Sequence, residues 1–365
     1  MALSTGLALE LMWDAWMRRA LALAALADGQ TSPNPLVGAV VLDQHGRLVG
    51  EGFHARAGDP HAEVGALAQA GDRAQGGTLV VTLEPCCHHG RTPPCSEAVL
   101  RAGVHRVVIA LEDPDPRVAG GGIQQLRGAG LDVISGVLQA EAAFQNRAFL
   151  HRVRTGRPWG TLKWAMGLDG RTALTNGESQ WISGPTARQW VHRLRSKSDA
   201  VIVGGGTVRV DDPLLTSRGL RVPEPLRVVL SRSMQLPETA QLWDTSLAPT
   251  MVAHGPEAQD RPFPSGPLRQ RLSASEPEPL MQELANRGCN RVLWECGPEL
   301  AAAAIRQGCI QEVAAVVAPK LMGGVPARTP LGDLGFTAMD QVVTGSLLSS
   351  ERLGDDWLFQ FRLTR

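Results

Sequence analysis

Four residues in the first third of the chain have the types and spacing of a catalytic metal site. His61 and Glu63 form a His-x-Glu pair, and Cys86 and Cys95 each follow a proline. Zinc that activates water takes three protein ligands and leaves one position open, and a nearby carboxylate then moves the proton. We therefore predict His61, Cys86 and Cys95 as metal ligands and Glu63 as the general acid and base.

The same segment also allows a purely structural zinc site. Such a site has four protein ligands. The fourth could be Cys87, His88 or His89, which lie between the two predicted thiol ligands. The three-ligand interpretation is favoured because a four-ligand site gives Glu63 no task.

Three predicted elements would bring these residues together. A helix over 61–70 would begin at the histidine, a buried strand over 78–83 would end just before Cys86, and a helix over 96–102 would follow Cys95. The dipole of a helix favours a thiolate in its first turn. The spacing thus predicts one thiolate at a strand end and one at a helix start.

Length and composition limit the class of protein. At 365 residues the chain is long enough for two domains, and 36 Lys and Arg residues balance 36 Asp and Glu residues. A balanced charge disfavours a nucleic-acid substrate, because such proteins usually have a basic surface. The longest apolar run near the N-terminus, 20–27, is far shorter than the roughly 20 residues of a membrane span. Six cysteines, three of them within ten positions, favour a metal site in a reducing, cytoplasmic setting over disulfides.

Strand-like and helix-like segments alternate along the chain, which indicates α/β domains with mostly parallel, helix-covered sheets. We predict a first domain over 1–150, a basic linker over 151–156 and a second domain over 157–365. Surface loops are expected over 209–225 and 254–278, which are rich in Pro and Gly. Other helices are predicted over 11–26, 120–130, 185–196, 279–287 and 298–307, and other strands over 37–42, 104–111, 132–134, 159–165, 200–203, 226–230, 290–294 and 313–317.

The second half contains one anion-binding pattern. Residues 293–300 indicate a strand, a glycine turn and a helix start, a geometry that suits a pyrophosphate but is also a common helix cap. The glycines at 204–206 do not form the Gly-x-Gly-x-x-Gly pattern of a Rossmann domain.

The zinc pattern resembles that of the cytidine and deoxycytidylate deaminase superfamily, where His-x-Glu accompanies Pro-Cys-x-x-Cys. This chain departs from the pattern in having eight residues between Cys86 and Cys95 where two are usual. That insert, with Asn-Pro-Leu-Val-Gly-Ala-Val at 34–40 and Asp-Pro-Asp-Pro at 113–116, is similar to the bacterial pyrimidine deaminase/reductase family of riboflavin biosynthesis. The resemblance covers essentially the whole chain.

This resemblance implies an α/β chain with an N-terminal cytidine-deaminase-like three-layer α/β/α domain and a following dihydrofolate-reductase-like α/β domain. It implies zinc-dependent deamination of a phosphoribosylated diaminopyrimidinone, followed by NADPH-dependent reduction of the ribose to a ribityl chain. Zn²⁺ and NADPH are the expected cofactors. The expected partners are a small-molecule substrate and further copies of the chain, with no nucleic acid and no membrane.

The resemblance also implies site residues in the second domain. The expected NADPH contacts are Ala165, Thr172, Trp181, Thr207, Asp211, Gly297, Pro298, Glu299, Leu300, Ala301, Ala302 and Ala303. The expected substrate contacts are Ser179, Arg195, Leu215, Arg218 and Glu295. Two arginines suit a ribose phosphate, which they can bind in a fork.

Two further features of this domain concern the reduction. Because the chain has no tyrosine, the proton would come from Lys163, Asp211, Glu295 or water, although Lys163 could equally contact a phosphate or be structural. Arg232 follows a predicted strand and could meet the 2′-phosphate of NADPH; a solvated surface arginine is the alternative.

Several polar residues of the first domain are candidates for substrate contacts. Asn34 could bind the base or ribose, although an Asn before Pro also fits a simple turn. His54 could line the same site or lie on the surface. His88, His89 and Arg91 form a cationic loop beside the predicted ligands, which suits a substrate phosphate; a solvated loop is the alternative.

Two other functions fit parts of the sequence. A nucleoside or tRNA deaminase would have the short Cys-x-x-Cys loop and, for tRNA, a basic surface. A non-catalytic protein stabilised by zinc would not need Glu63. The long insert and the balanced charge favour the bifunctional enzyme over both.

Overall fold

The computed structural model describes residues 5–88, 93–115, 120–259, 265–325 and 327–364, with side chains from Leu11 onward. The chain divides into two compact units, Met1–Thr155 and Gly156–Arg365. The first unit has a five-stranded sheet, and the second has a nine-stranded sheet. Within the described ranges, no helix is long and apolar enough to cross a membrane.

The first unit surrounds its sheet with helices. The helices are α1 (Thr5–Ala25), α2 (Ala62–Ala70), α3 (Cys95–Arg101), α4 (Gly121–Gly128), α5 (Gln139–Gln145) and α6 (Arg147–Thr155), and the strands are β1 (Gly38–Leu42), β2 (Leu48–Phe53), β3 (Thr78–Val81), β4 (Arg106–Ile109) and β5 (Asp132–Ser135). The strand order is β2-β1-β3-β4-β5. Strands β3, β4 and β5 are parallel, whereas β1 runs antiparallel to both of its neighbours.

Neighbouring residues of each central strand pack into different cores. Leu79 and Ile109 lie in a core with residues of α2, α3 and α4, whereas Val80 and Val108 lie in a core with residues of α1, α5 and α6. Successive side chains of a strand point to opposite faces, so a strand that is apolar at every position is covered on both faces. The three-layer α/β/α fold expected for this domain is therefore confirmed.

The second unit is a larger sheet with helices. Its strands are β6 (Trp159–Gly167), β7 (Ala200–Gly204), β8 (Leu226–Leu230), β9 (Thr250–His254), β10 (Leu268–Arg271), β11 (Arg291–Trp294), β12 (Glu312–Ala318), β13 (Thr344–Leu353) and β14 (Asp356–Thr364), and its helices are α7 (Pro185–Ser196), α8 (Gly205–Asp211), α9 (Pro277–Asn286) and α10 (Pro298–Arg306). The order is β10-β9-β8-β7-β11-β6-β12-β14-β13, with all neighbours from β10 to β12 parallel and β14 antiparallel to both β12 and β13. Parallel strands end at the same edge, which is where open α/β sheets bind ligands.

The segment expected as a linker, 151–156, is helical through Thr155 as part of α6. Its basic residues suggested an exposed connection. However, Phe149 and Leu150 pack into the core of the first unit and fix the helix there. Gly156, with a φ of 70°, follows the last helical residue. The apolar anchors precede the basic stretch, so the charge pattern alone was misleading.

The two expected surface loops are shorter than predicted. Residues 209–211 complete α8, and within 254–278 the structure has the end of β9, all of β10 and the start of α9. Strand β10 lies at the sheet edge, and three of its four residues are exposed. An exposed, charged edge strand has no alternation of apolar and polar residues, which explains why it was missed. Strands β2, β9, β13 and β14 and helices α5, α6 and α8 were also not predicted.

Helix α2 lies directly on strand β2 because both contact faces consist of small residues. Ala62, Ala66 and Ala70 recur every four residues on the helix and are buried. A Cβ atom at Gly52 would lie against the Ala62 carbonyl oxygen and 2.6 Å from the Ala66 nitrogen, and Gly50 is similarly close to the helix. The close approach fixes the helix that bears Glu63.

Replacing Gly52 should therefore disturb the fold of the first unit. We expect Gly52→Ala to lower the free energy of unfolding by about 2 kcal/mol, because overpacking forces the backbones apart. Gly128→Ala is the matched control, since a Cβ there meets nothing within 4 Å. Urea unfolding of the full chain measures both. An unchanged midpoint for Gly52→Ala would show that the two backbones are not in close contact.

Candidate active sites

His61, Cys86 and Cys95 come together where α2 and α3 begin. The His61 Nδ1 atom lies 3.1 Å from Cys95 Sγ and 3.7 Å from Cys86 Sγ. The three ligand atoms all lie within 4.8 Å of one another, and in the described part of the chain the group holds these three residues. One imidazole and two thiols at such distances fit a zinc ion with one position left open. The described residues Cys87 and His88 are thus not part of the group, and His89 lies outside the described residues.

Backbone hydrogen bonds hold the two thiols in place. The Cys95 N–H donates to Cys86 Sγ at 3.3 Å, and the Ser96 N–H donates to the Cys86 carbonyl at 3.1 Å. A hydrogen bond from the Cys95 side chain, with a smaller contribution from His61, lowers the pKa of Cys86 to about 4. Cys86 is therefore a thiolate at neutral pH, which is the form that binds a metal.

Glu63 lies in the first turn of α2, next to the ligand group. Its side chain is buried, with only 3% exposed. Burial raises the pKa of Glu63 to about 7. A carboxyl group with this pKa can both accept and return a proton near neutral pH, as a general acid and base must.

Two of the three ligand residues, His61 and Cys86, line a cavity of about 540 Å³ in the first unit together with Glu63. Asn34 and His54 line it too, with Asn34 Nδ2 2.9 Å from His54 Nε2. His54 Nδ1 lies 3.2 Å from the Pro60 carbonyl oxygen. Burial lowers the pKa of His54, so its ring is neutral and its Nδ1 proton donates to that carbonyl. The Nε2 atom then accepts from the Asn34 amide, which orients Asn34 at the cavity wall.

Of the predicted cationic loop, His88 lines this cavity. His89 and Arg91 lie outside the described residues. Their assignment to the substrate phosphate therefore stays a prediction.

Five polar residues of this cavity were not assigned from the sequence: Asp59, Glu84, Asp113, Asp115 and Arg152. Glu84 is buried and accepts hydrogen bonds from the backbone N–H groups of Asp113, Gly120 and Ile123 at 3.0–3.1 Å. It thus holds the chain beyond β4 beside the cavity. Its position just before Pro85 and Cys86 was a signal that sequence reasoning did not use.

The second unit has a cavity of about 540 Å³ at the C-terminal ends of β6, β7 and β11. Many of the residues predicted for this site line it, namely Lys163, Ala165, Thr172, Ser179, Thr207, Asp211, Glu295, Gly297, Pro298, Glu299 and Leu300. The first turn of the nine-residue helix α10 is among them. Backbone N–H groups at a helix N-terminus favour an anion.

A buried cluster of charges lies at this cavity. Arg195 binds Glu295 through two hydrogen bonds, Nε to Oε1 at 2.6 Å and Nη2 to Oε2 at 3.0 Å, and Lys163 Nζ lies 3.8 Å from Glu295 Oε2. Burial opposes the charge of Glu295, but Arg195 and Lys163 hold its pKa below the usual range. Burial lowers the pKa of Lys163. Glu295 is therefore ionised, and Lys163 loses its proton more readily than an exposed lysine.

Three residues predicted for the substrate do not line this cavity. Arg195 is committed to Glu295, Leu215 is buried in an apolar core and Arg218 is exposed. Ser179 does line it, and its hydroxyl donates to Asp211 Oδ1 at 3.4 Å. In this structure Arg195 faces Glu295, and the assignment of the two arginines to the ribose phosphate stays a prediction.

Four residues predicted for the cofactor also lie elsewhere. Ala301 and Ala302 are fully buried, Ala301 in the core that joins α10 to the sheet, and Ala303 lines a neighbouring cavity. Trp181 is 63% exposed and is not among the lining residues; the Arg188 guanidinium lies 4.6 Å from its ring centroid.

Lining residues that sequence reasoning missed include Trp164, Arg209, Cys296 and Arg328. Each of the first three lies within two positions of a predicted site residue in the sequence. Arg328 lies in a loop after β12 whose sequence gave no signal.

Comparison with known proteins identifies the family of each unit. Residues 12–111 match the cytidine and deoxycytidylate deaminase zinc-binding region, and residues 158–359 match the RibD C-terminal domain. The riboflavin biosynthesis protein RibD of Synechocystis is 50% identical over 94% of this chain and 94% of its own length. That of Escherichia coli is 41% identical, covering 84% and 88%.

Solved structures give the same result. Acinetobacter baumannii RibD superimposes with a TM-score of 0.88 at 40% identity, covering 98% of this chain and all of that chain. A Thermotoga maritima protein, described as a diaminohydroxyphosphoribosylaminopyrimidine deaminase/5-amino-6-(5-phosphoribosylamino)uracil reductase, has a TM-score of 0.88 at 33% identity, covering 97% and 99%. The resemblance noted in the sequence is confirmed, and the chain belongs to the RibD family of riboflavin biosynthesis proteins.

Proposed function

We propose that the chain is a bifunctional enzyme of riboflavin biosynthesis. Its first unit would deaminate a phosphoribosylated diaminopyrimidinone to the corresponding uracil, and its second unit would reduce the ribose of that product with NADPH. The observation that carries the proposal is the group of His61, Cys86 and Cys95 beside the buried Glu63. The description of the Thermotoga maritima relative supports the choice of substrate.

Glu63 moves the proton in the deamination. His61, Cys86 and Cys95 would hold the zinc ion, which would supply an activated water at neutral pH. Glu63 accepts a proton from the attacking water and passes it to the amino group that leaves as ammonia. The water oxygen would form the new bond to C2 of the pyrimidine, and the bond from C2 to the amino nitrogen would break. The second water proton would pass from the oxygen to the adjacent ring nitrogen, so that a carbonyl remains. A pKa of about 7 suits a group that takes and returns a proton in one cycle.

Residues around the first cavity would place the substrate. Asn34, oriented by His54, is assigned to the base or ribose. His88, with His89 and Arg91 of the same loop, is assigned to the phosphate. Cations suit this role, because they form strong charge-assisted hydrogen bonds with phosphate oxygens.

The cavity of the second unit would hold NADPH and the deaminated product. NADPH supplies a hydride when bound. The first turn of α10, from Gly297 to Leu300, would hold its pyrophosphate, as helix N-termini do. Ala165, Thr172, Thr207 and Asp211 line the same cavity and are assigned to the cofactor.

Lys163 is the group that we assign to proton transfer in the reduction. A hydride at C1′ breaks the bond from C1′ to the ring oxygen, and that oxygen then needs a proton. Glu295 has none to give, since Arg195 and Lys163 keep it ionised. Lys163 lies 3.8 Å from Glu295, and burial lowers its pKa. It would donate the proton to the ring oxygen and regain one from solvent.

Loss of one thiol should remove the metal. In Cys86→Ser we expect much less than one zinc per chain and no ammonia release, because a hydroxyl is a poor substitute for a thiolate ligand. Cys87→Ser is the matched control and should keep its zinc. Zinc analysis by mass spectrometry and an ammonia assay measure both variants. Zinc loss in the Cys87 variant with retention in the Cys86 variant would refute the ligand set.

Loss of the carboxylate should stop the deamination without releasing the metal. Glu63→Gln should slow ammonia release by about 10³-fold, because general acid–base catalysis contributes that order of rate. Zinc content and NADPH oxidation with the deaminated substrate should stay as in the wild type. The control is Glu112→Gln, at an exposed glutamate. Deamination by Glu63→Gln at a rate near that of the wild type would rule out the proton transfer assigned to this residue.

Loss of the lysine should stop the reduction. Lys163→Met should slow NADPH oxidation by about 100-fold with the deaminated substrate, while ammonia release persists. Lys197→Met, at an exposed lysine, is the control. Asp211→Asn is measured in parallel, since burial raises the pKa of Asp211 and makes it the competing donor. A large loss in the Asp211 variant with normal turnover in the Lys163 variant would assign the proton to Asp211 instead.

A further inference from the structure

In the second unit a cavity of about 460 Å³, called the Arg232 cavity, adjoins the cavity that Lys163 lines, called the Lys163 cavity. The two cavities share Gly204, Glu299 and Leu300 as lining residues. The end of β7 and the first turn of α10 therefore lie at their junction. The residues assigned to NADPH under the proposed function line the Lys163 cavity.

A long ligand in the Lys163 cavity would continue into the Arg232 cavity. With its nicotinamide beside Lys163 and Glu295, NADPH would place its pyrophosphate at the start of α10, where the backbone N–H groups favour an anion. The adenosine half would then lie in the Arg232 cavity. Leu230, Pro277 and Ala303 line this cavity and suit an adenine ring.

Arg232 lies in the turn directly after β8 and lines the cavity named after it. The backbone beneath it is fixed, because the Ser231 N–H donates to the Ala253 carbonyl at 2.9 Å and the Ser231 hydroxyl accepts from the Met234 N–H at 3.1 Å. The Arg232 side chain is 74% exposed, and its ion pair with Glu276 is 3.5 Å long. Such an exposed pair is weak, so the guanidinium can turn to a partner of higher charge.

The other charged groups of this cavity leave Arg232 as the best cation for a phosphate. Arg306 is the second arginine in the lining, and its Nη1 donates to the Asp333 carbonyl at 2.8 Å. Glu276 and Glu299 are negative and would repel a phosphate. A doubly charged phosphate therefore needs a cation here, and Arg232 has the weaker existing contact.

We propose that Arg232 binds the 2′-phosphate of NADPH and so selects NADPH over NADH. This inference rests on the proposed reductase function. The planar guanidinium forms two parallel N–H···O bonds to a phosphate, which adds both affinity and specificity. NADH lacks this phosphate and would leave Arg232 with Glu276.

Binding to the full chain tests the proposal without turnover. NADPH and NADH are titrated separately by calorimetry, in the absence of the pyrimidine. Arg232→Gln should weaken NADPH binding by roughly tenfold or more, the loss of a charge-assisted contact, and leave NADH binding within about twofold. Arg271→Gln, at an exposed arginine of β10 that does not line the cavity, should change neither. The fragment 2′,5′-ADP should compete with NADPH on the wild type and lose affinity in the Arg232 variant, whereas 5′-AMP should not distinguish the two.

A second variant should act in the opposite direction. Glu276→Gln removes the carboxylate that competes for Arg232, and the amide can still accept from Gln307 Nε2, which lies 2.9 Å from Glu276 Oε2. NADPH binding should tighten by about two- to fivefold, since an exposed pair of this kind is worth that much, and NADH binding should not change.

The outcomes separate this inference from the function beneath it. Unchanged NADPH binding in Arg232→Gln, or equal weakening of both nucleotides, would overturn the role of Arg232 and leave the reductase proposal in place. A wild-type chain that binds neither nucleotide would overturn the reductase proposal itself. Selective loss of NADPH binding in this variant alone would support the assignment.

Discussion

Parallel strands that end together impose the constraint on which both sites depend. Past the ends of such strands the chain turns toward a helix or a cavity. Cys86 occupies such a position after β3, and Glu295 occupies one after β11. The strands themselves are buried on both faces, so these ends are held without help from the groups that do chemistry. Each unit thus keeps a rigid sheet and an adjustable edge.

Two buried glutamates show how the surroundings give one residue type two tasks. Burial raises the pKa of Glu63 to about 7, and no arginine fork holds its charge in the structure described. Glu295 is buried as well, but two hydrogen bonds from Arg195 keep it ionised. The first group is suited to move a proton and the second to hold a fixed negative charge beside Lys163. Separate environments of this kind commonly divide acid and base roles in enzymes.

Local patterns were the part of the molecule that could be predicted from the sequence. The helix predicted over 185–196 and the strand predicted over 226–230 have the observed bounds, because proline, glycine and apolar runs mark their ends. The metal group was also predicted, since its chemistry depends on residue type and short spacing.

Parts that depend on distant packing could not be predicted in this way. Arg152 lines the cavity of the first unit because α6 continues through the expected linker. Arg328 lines the Lys163 cavity of the second unit from a loop whose sequence carries no recognisable motif. The Arg195–Glu295 pair joins residues a hundred positions apart. Sequence proximity gave no sign that this arginine binds a carboxylate.

The contact of α2 with β2 determines which parts of the first unit can drift in sequence. Backbone lies on backbone at Gly50 and Gly52, so no layer of large side chains separates the edge strand from the helix that starts beside His61. Exchanging apolar residues elsewhere in the core would alter packing volume without changing this spacing. The position of Glu63 is therefore set by the contact between the backbones of α2 and β2. A side chain at Gly50 or Gly52 would thus displace Glu63, whereas an exchange of apolar residues elsewhere in the core would leave it in place.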